Sequence, residues 1–307
     1  MTSSAPSPPP EAGTTPHSVS ALIVSYNVRQ YVLETLRAYY STCGPSAAAI
    51  VVDNASTDGS ADAIEGAYPQ TRVIRLAQNL GFGRANNAGL ETASSDFVLL
   101  LNPDVILGEG CVARLAEFLG AHPDAGAASP RLARPDGRLD LAARRAFPSP
   151  LASFFRFSGL SRLFPNSPRF NRYNLGNVPA GTVHEIDSGT AACLLVRRSA
   201  LDKVGFFDPD FFMYGEDLDL CYRLKQAGWK IYYVPTATAV HVKGTSTRQA
   251  AGTMLYEFHR AMWTFHTKHY AGSLPGVVNG LIWLGIWCRW AALSLRARIT
   301  NHSIVSP

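Results

Sequence analysis

From Val19 onward the apolar and polar positions of this chain switch between two periods. Short apolar runs at Ser20–Ser25, Ala48–Val52, Arg72–Leu76 and Phe97–Leu101 read as strands. Between and after them, Arg29–Thr42, Ser60–Tyr68, Gly83–Thr92 and Gly110–Leu119 carry helical spacing, clearest in Tyr31, Leu33, Leu36, Tyr39 and Tyr40. The pattern resumes with a strand at Ile186–Val196, a helix at Glu216–Ala227, a strand at Lys230–Val234 and a helix at Thr247–Tyr270. Strands alternating with helices predict an α/β chain built on a doubly wound, mostly parallel sheet flanked by helices.

In such sheets ligands bind at the carboxyl ends of the strands. Polar residues gather at those ends here: Ser25-Tyr26-Asn27, Asp53-Asn54, Asn79 and Asn102-Pro103-Asp104. A strand end needs polar residues merely to meet solvent, but four such clusters in succession predict one shared site.

The segment 131–172 has no clean period and contains the turn signal Pro135-Asp136-Gly137, so it reads as a hairpin followed by a mobile loop. It holds nine arginines, no lysine, and only Asp136 and Asp140 as acids. The whole chain carries 28 Lys and Arg against 23 Asp and Glu, so the rest of the chain is close to neutral. An excess that small does not indicate nucleic acid, whereas a basic segment suits a phosphate, a lipid headgroup or an acidic protein. A solvated arginine-rich loop is the plainer alternative.

At 307 residues, 47% apolar and 17% charged, the composition is globular, excluding a disordered, collagen-like or polytopic membrane protein. Five scattered cysteines without a Cys-x-x-Cys pair argue against a disulfide framework or zinc knuckle and fit a reducing compartment. Residues 1–17, rich in proline, serine and threonine and without the apolar stretch of a secretory signal, read as a disordered tail. Ala271–Cys288 is uncharged over 18 residues, and Trp283, Trp287 and Trp290 follow at i, i+4 and i+7. That length is marginal for a bilayer span and the segment carries Pro275, Asn279 and several glycines. A tryptophan stripe beside Arg289, Arg296 and Arg298 instead predicts a helix lying in a membrane interface, the alternative being packing on the domain or on a second copy in a homodimer.

Among sequences that carry chemistry, Gly81-Phe82-Gly83 does not complete a dinucleotide fingerprint, because Asn86 stands at the last glycine position and the loop follows the third strand. No P-loop, His-Glu-x-x-His or Gly-x-Ser-x-Gly motif occurs. Carboxylates dominate what remains. Asp53 is placed to accept hydrogen bonds from a base or ribose, and Asp104 to ligate a divalent cation bridging a diphosphate. Glu216 and Asp217 open a helix, where the dipole and free backbone N–H groups favour the charged carboxylate of a general base. Each alone is an ordinary cap or surface acid; together they outline a metal–nucleotide site facing a base. Arg223 suits a structural ion pair with Asp219 more than a reach to phosphate, Trp229 either stacks on a sugar ring or belongs to the core, and His259, His266 and His269 read as surface residues.

Five segments in order resemble family 2 glycosyltransferases: Val24-Ser25-Tyr26-Asn27, Val51–Ser60, Asn79-Leu80-Gly81-Phe82-Gly83, Leu101-Asn102-Pro103-Asp104 and Phe211–Arg223. The resemblance runs from about Val19 to Ser246 and is closest to the bacterial rhamnosyltransferase-like enzymes of cell-surface polysaccharide synthesis. It implies a GT-A fold and inverting transfer from a nucleotide-diphosphate sugar. Asp53 would bind the base, Ser25, Asn27 and Asn79 would line the nucleotide pocket, and Asp104 would take the last place of an Asp-x-Asp metal motif whose first place is here Asn102. An amide ligates through its oxygen but brings no charge. His241, followed by Gly244 and Ser246, resembles the family's late metal-binding histidine, so the implied cofactor is Mg²⁺ or Mn²⁺. Asp217 matches the catalytic base, with Glu216, Asp187 and Trp229 as acceptor-binding candidates.

The resulting expectation divides the chain into a tail at 1–17, a GT-A domain at 18–250 and membrane-interfacial helices at 251–307. The enzyme would work on the cytoplasmic face of a bacterial membrane, moving L-rhamnose from dTDP-L-rhamnose, or a hexose from a UDP-sugar, to a lipid-linked or polysaccharide acceptor. A sugar nucleotidyltransferase would want a glycine- and lysine-rich loop near the N-terminus, which is missing. A non-catalytic membrane-associated scaffold would not need Asp104 and Asp217.

Overall fold

The computed structural model describes residues 17–242 and 251–300. Strands β1 (Val19–Ser25), β2 (Ala48–Asp53), β3 (Arg72–Arg75) and β4 (Phe97–Leu101) alternate with helices α1 (Arg29–Cys43), α2 (Ser60–Ala67) and α3 (Phe82–Leu90). The interiors of β1, β2 and β4 are continuous apolar runs, as strands covered on both faces require, and Val32, Leu36, Tyr39 and Tyr40 of α1 pack against them. These four strands are all parallel, in the order β3-β2-β1-β4.

Beyond β4 the sheet is mixed: β6 and β9 pair in parallel, and the remaining strands join antiparallel. The later elements are β5 (Val105–Leu107), α4 (Cys111–Ala121), β6 (Ala125–Ala133), α5 (Pro150–Phe157), α6 (Leu160–Leu163), β7 (His184–Ile186), β8 (Cys193–Arg197), α7 (Arg198–Val204), α8 (Glu216–Gln226), β9 (Lys230–His241), α9 (Ala251–His269) and α10 (Gly276–Thr300). The order continues β8-β6-β9-β5, with β7 also on β9. β8 runs antiparallel to β4 because the chain enters it where β4 ends, Cys193 lying opposite Leu101. The single strand expected over Ile186–Val196 is therefore two: β7 pairs with β9, and β8 pairs with β4 and β6.

Segment 131–172 also differs from expectation. The hairpin turn is present, with Arg134 N–H donating to Arg138 C=O, but the stretch beyond it is held to the domain and contains α5 and α6. Arg145 and Ser188 exchange backbone hydrogen bonds, and Ala146 N–H donates to Tyr173 C=O. The expected tail falls almost wholly outside the described residues, as do Gly244 and Ser246.

At the C-terminus, α9 docks on α8. His269 Nε2 lies 2.8 Å from Asp219, and Lys268 pairs with Asp208 and Asp210. α10 folds back antiparallel to α9, with His266 facing Asn279 and His259 facing Arg289. The three histidines expected at the surface are thus largely buried between helices.

Candidate functional site

The carboxyl ends of β1, β2 and β4 converge with the start of α8 through a closed circuit of contacts. Asn54 N–H donates to Ser25 C=O at 2.8 Å, and Leu80 N–H donates to the Asn54 side chain at 2.9 Å. Phe82 N–H then donates to Phe212 C=O at 2.9 Å, tying the 79–82 turn to the loop before α8. Gly81 makes that approach possible: its φ is +83°, and a Cβ there would collide with the Phe212 carbonyl oxygen. Across the circuit, Arg145 joins Asp217 to Gly189, and Asn102 N–H donates to Ala192 C=O.

On the nucleotide side, Ser25 and Asp53 are buried, and their Oγ and Oδ1 atoms have no hydrogen-bond partner among the described residues. Buried polar atoms without partners cost stability unless something binds them, so this pair suits a polar ligand edge. Asp53 Oδ2 is occupied by Ser56 N–H. Asn27 and Asn79 use their side-chain oxygens on loop amides, Asn27 on Thr57 and Asn79 on Gly81, so both shape the pocket walls. Asn27 and Ala55 hold positive φ, a local strain that marks this rim.

Beyond the end of β4, β5 lies against the end of β9, with Val105 opposite His241. This pairing brings His241 Nε2 to 3.3 Å from Asp104 Oδ1. Two adjacent ligands of one octahedral cation at about 2.1 Å lie about 3 Å apart, so the spacing fits a shared divalent ion. Asn102 Oδ1 is buried and without a partner among the described residues. His241 Nδ1 faces Asp140, itself buried, at 3.2 Å. That contact fixes the ring with Nε2 toward Asp104, the arrangement in which a carboxylate orients a metal-binding imidazole. Burial would lower the His241 pKa, but Asp104 and Asp140 more than offset it and hold it above the usual histidine range. No group of three His, Cys, Asp or Glu side chains suited to a metal occurs among the described residues, so a cation here would need ligands from the nucleotide as well.

At the start of α8, Gly215 (φ +80°) turns the chain into the helix, whose first residues are Glu216 and Asp217. Asp217 Oδ2 accepts from Arg145 Nη2 at 2.8 Å and Oδ1 from Leu218 N–H at 2.8 Å. A carboxylate has about four lone-pair sites, so these bonds orient Asp217 while leaving it able to accept a further proton. Burial opposes the Arg145 charge, yet the Asp217 carboxylate more than offsets it and holds the guanidinium above its usual range. Glu216 is buried, and burial together with the Asp217 charge pushes its carboxyl up to about 8. Asp187 Oδ2 accepts from Phe147 N–H at 3.0 Å, and Lys225 lies 3.5 Å from its Oδ1, so it anchors the strand edge carrying Arg145.

Trp229 is not part of this arrangement. It follows the carboxyl end of α8, about 15 Å along the helix from Asp217, and packs against Gly126. Core packing explains it and sugar stacking does not. Arg223 pairs with Asp219 at 2.8 Å and caps Val204, Gly205 and Phe206 carbonyls, a structural role as expected. Arg145 and Asp140 are the residues that sequence reasoning missed. Both lie in the irregular arginine-rich stretch, where no periodicity or motif marks them.

Comparison with known proteins bears on what this site is for. The model of Glycosyl transferase family 2 matches residues 20–205, and that of Glycosyl transferase family group 2 matches residues 181–305. The chain is 34% identical over 270 residues, 83% of each chain, to N-acetylglucosaminyl-diphospho-decaprenol L-rhamnosyltransferase of Mycobacterium tuberculosis. It is 28% identical over 173 residues to rhamnosyltransferase WbbL of Escherichia coli, covering 52% of this chain and 60% of that one. Among solved structures, the mannosyltransferase PcManGT of Pyrobaculum calidifontis, in complex with GDP-Man and Mn²⁺, superposes with a TM-score of 0.57 at 17% identity. The likeness covers 94% of this chain and 76% of that one. Residues 1–349 of TarS from S. aureus give 0.56 at 16% identity over 87% and 69%. These likenesses establish the GT-A fold, and the length of the family match establishes that the chain belongs to glycosyl transferase family 2.

Proposed function

We propose that this enzyme is a metal-dependent, inverting rhamnosyltransferase that uses dTDP-L-rhamnose and a lipid-diphosphate-linked saccharide acceptor in cell-surface glycan synthesis. The observation that carries the transfer chemistry is the placement of Asp217 and the Asp104–His241 pair on one circuit of strand ends. The choice of donor and acceptor rests on the mycobacterial relative, whose name specifies both a rhamnosyl group and a lipid-linked N-acetylglucosamine.

In this reading Asp53 Oδ1 and Ser25 Oγ receive the base and ribose edges of the donor. Asp104 and His241, with Asn102 beside them, would hold the divalent cation, which supplies charge compensation for the departing diphosphate. Asp217, oriented by Arg145, accepts the proton of the acceptor hydroxyl as that oxygen attacks the anomeric carbon. The new glycosidic bond forms as the bond from carbon to diphosphate oxygen breaks, the electron pair leaving with the nucleoside diphosphate. Attack from the face opposite the leaving group inverts the anomeric centre.

The reading also seats the enzyme on a membrane through α10. Gly276–Ile299 is long and apolar enough to cross a bilayer and is almost entirely unburied. Val277, Leu281, Leu284, Leu295 and Ile299 lie on one outward face, whereas Trp287 and Trp290 turn inward onto Tyr256 of α9. α10 is bound along α9, which is itself docked on the catalytic domain. That geometry favours a helix lying in the interface over one spanning it.

The test is release of nucleoside diphosphate from a panel of NDP-sugars with and without Mg²⁺ or Mn²⁺. Metal-dependent turnover of dTDP-L-rhamnose, lost in Asp104→Ala, is expected. Preference for a UDP-hexose would replace the donor assignment, and equal turnover in EDTA would overturn metal dependence.

A further inference from the structure

Helix α5 and the turn into α6 carry apolar side chains on both sides. On the inner side Ala152 and Phe155 are buried, Phe155 meets Phe170 edge-on at 4.9 Å, and Arg156 lies 4.9 Å from the centre of the Tyr173 ring and bonds Asn174. This face is anchored. On the outer side Leu151, Phe154, Leu163 and Phe164 stand in solvent, Phe154 with 61% and Leu163 with 73% of its surface exposed. Large exposed apolar groups clustered within 14 residues mark an interaction surface.

The charges around this cluster indicate its partner. From Leu141 to His184 the chain contains six arginines, no lysine and no acid. Arg144 and Arg145 are turned into the protein and Arg156 into its own loop, but Arg162, Arg169 and Arg172 are exposed beside the apolar cluster. Aromatic and aliphatic side chains interspersed with exposed guanidinium groups, in a stretch of sequence without acids, complement a surface of anionic headgroups over hydrocarbon. The cluster also adjoins α10: the Arg289 guanidinium lies 4.4 Å from the centre of the Phe157 ring. α5 therefore meets α10 at Arg289, on the side of α10 that faces α9.

We infer that the α5–α6 segment is a second membrane-contacting element, which inserts Leu151, Phe154, Leu163 and Phe164 into an anionic lipid surface. This rests on the reading that the enzyme works on a membrane, but not on α10 being the contact. The segment leaves the site only three residues after Phe147, whose N–H is held by Asp187 beside Arg145. Lipid bound at α5–α6 would thus lie at the end of the site where Asp217 receives the acceptor.

The test is co-sedimentation of the full chain with vesicles of phosphatidylcholine alone and of phosphatidylcholine mixed with phosphatidylglycerol. Three variants are compared with wild type: Phe154→Ser with Leu163→Ser, Arg162→Gln with Arg169→Gln and Arg172→Gln, and, in α10, Leu281→Ser with Leu284→Ser. All of these side chains are exposed, and unchanged thermal unfolding checks that each variant folds. Wild type is expected to prefer the anionic vesicles and to lose that preference at high salt. The arginine variant should bind them at least tenfold more weakly, at the scale of a lipid-facing basic residue, and the Phe154–Leu163 variant should weaken both vesicle types. Loss only in the α10 variant would overturn the inference while leaving α10 as the membrane contact. Loss only in the α5–α6 variants would support it and displace α10. A wild-type dimer that the Phe154–Leu163 change converts to monomer, with vesicle binding intact, would assign the patch to a second copy and overturn the inference.

Discussion

Arg145 Nη2 lies 2.8 Å from Asp217 Oδ2, across 72 residues of sequence, and the same nitrogen reaches the Gly189 carbonyl at 2.7 Å. The guanidinium thereby connects the start of α8, the strand edge at Arg145–Phe147 and the turn into β8. Both partners are largely shielded from solvent, with about an eighth of each side chain exposed. Arg145→Gln should lower kcat by one to two orders of magnitude with little change in the donor KM, because the base loses its orientation while the nucleotide side stays intact. It should also destabilise the fold by about 3 kcal/mol, the scale for leaving one partner of a shielded pair unmatched. Steady-state kinetics and denaturant unfolding check the two effects separately, and a pure KM effect would contradict the role assigned to Arg145.

Asp140 is expected to act through His241. Asp140→Ala frees the imidazole to rotate and should weaken Mn²⁺ binding in the presence of nucleoside diphosphate by about 10- to 100-fold, the usual cost of removing an orienting carboxylate. Calorimetric titration of Mn²⁺ measures this without turnover. Unchanged affinity would separate Asp140 from the metal site.

Much of the first half of the fold was legible because each strand is a short, continuous apolar run and each helix shows its buried stripe. The second half was not. β6 is alanine-rich and contains Gly126 and Pro130, so it lacks the β-branched signature of a strand and forms only because β8 and β9 flank it. β7 and β8 merge in sequence because the turn between them, Ser188–Ala192, is built from small residues that look continuous with the strands. The positions of Ser25, Asp53, Asn102 and Asp104 at or just after strand ends, and of Asp217 at a helix start, were readable from pattern and motif. Arg145 and Asp140 were not, since their partners lie 72 and 101 residues away and only the folded sheet unites them. Trp229, which follows α8 in sequence, misled because the length of the helix carries it about 15 Å from Asp217.

Glu216 makes stability depend on pH with a definite sign. Its carboxyl titrates near 8 when folded and near the ordinary glutamate value of about 4.3 when unfolded. Between those values the folded state holds the extra proton, so the contribution is full at acid pH and is lost as pH rises toward 8. Glu216→Gln removes the titration. The melting temperature of the variant relative to wild type should rise from about pH 5 to pH 8 and level off above. A difference that does not vary with pH would contradict the buried, proton-holding state of Glu216.

Gly81→Ala should be costly for its size. The positive φ and the approach of the Phe212 carbonyl both exclude a Cβ, so a loss of about 1–3 kcal/mol and weakened donor binding are expected from unfolding and calorimetry. A neutral result would mean that the 79–82 turn relaxes without disturbing the loop before α8.

The proposed chemistry turns on Asp217 taking the acceptor proton in sugar transfer. It is tested most directly by measuring transfer from dTDP-L-rhamnose to a lipid-diphosphate-linked N-acetylglucosamine in wild type and Asp217→Asn, with donor binding measured on both proteins. Expected are acceptor-dependent release of dTDP by wild type, a loss of about a thousandfold or more in the variant, and unchanged donor affinity. Turnover by Asp217→Asn close to that of wild type would contradict that chemistry.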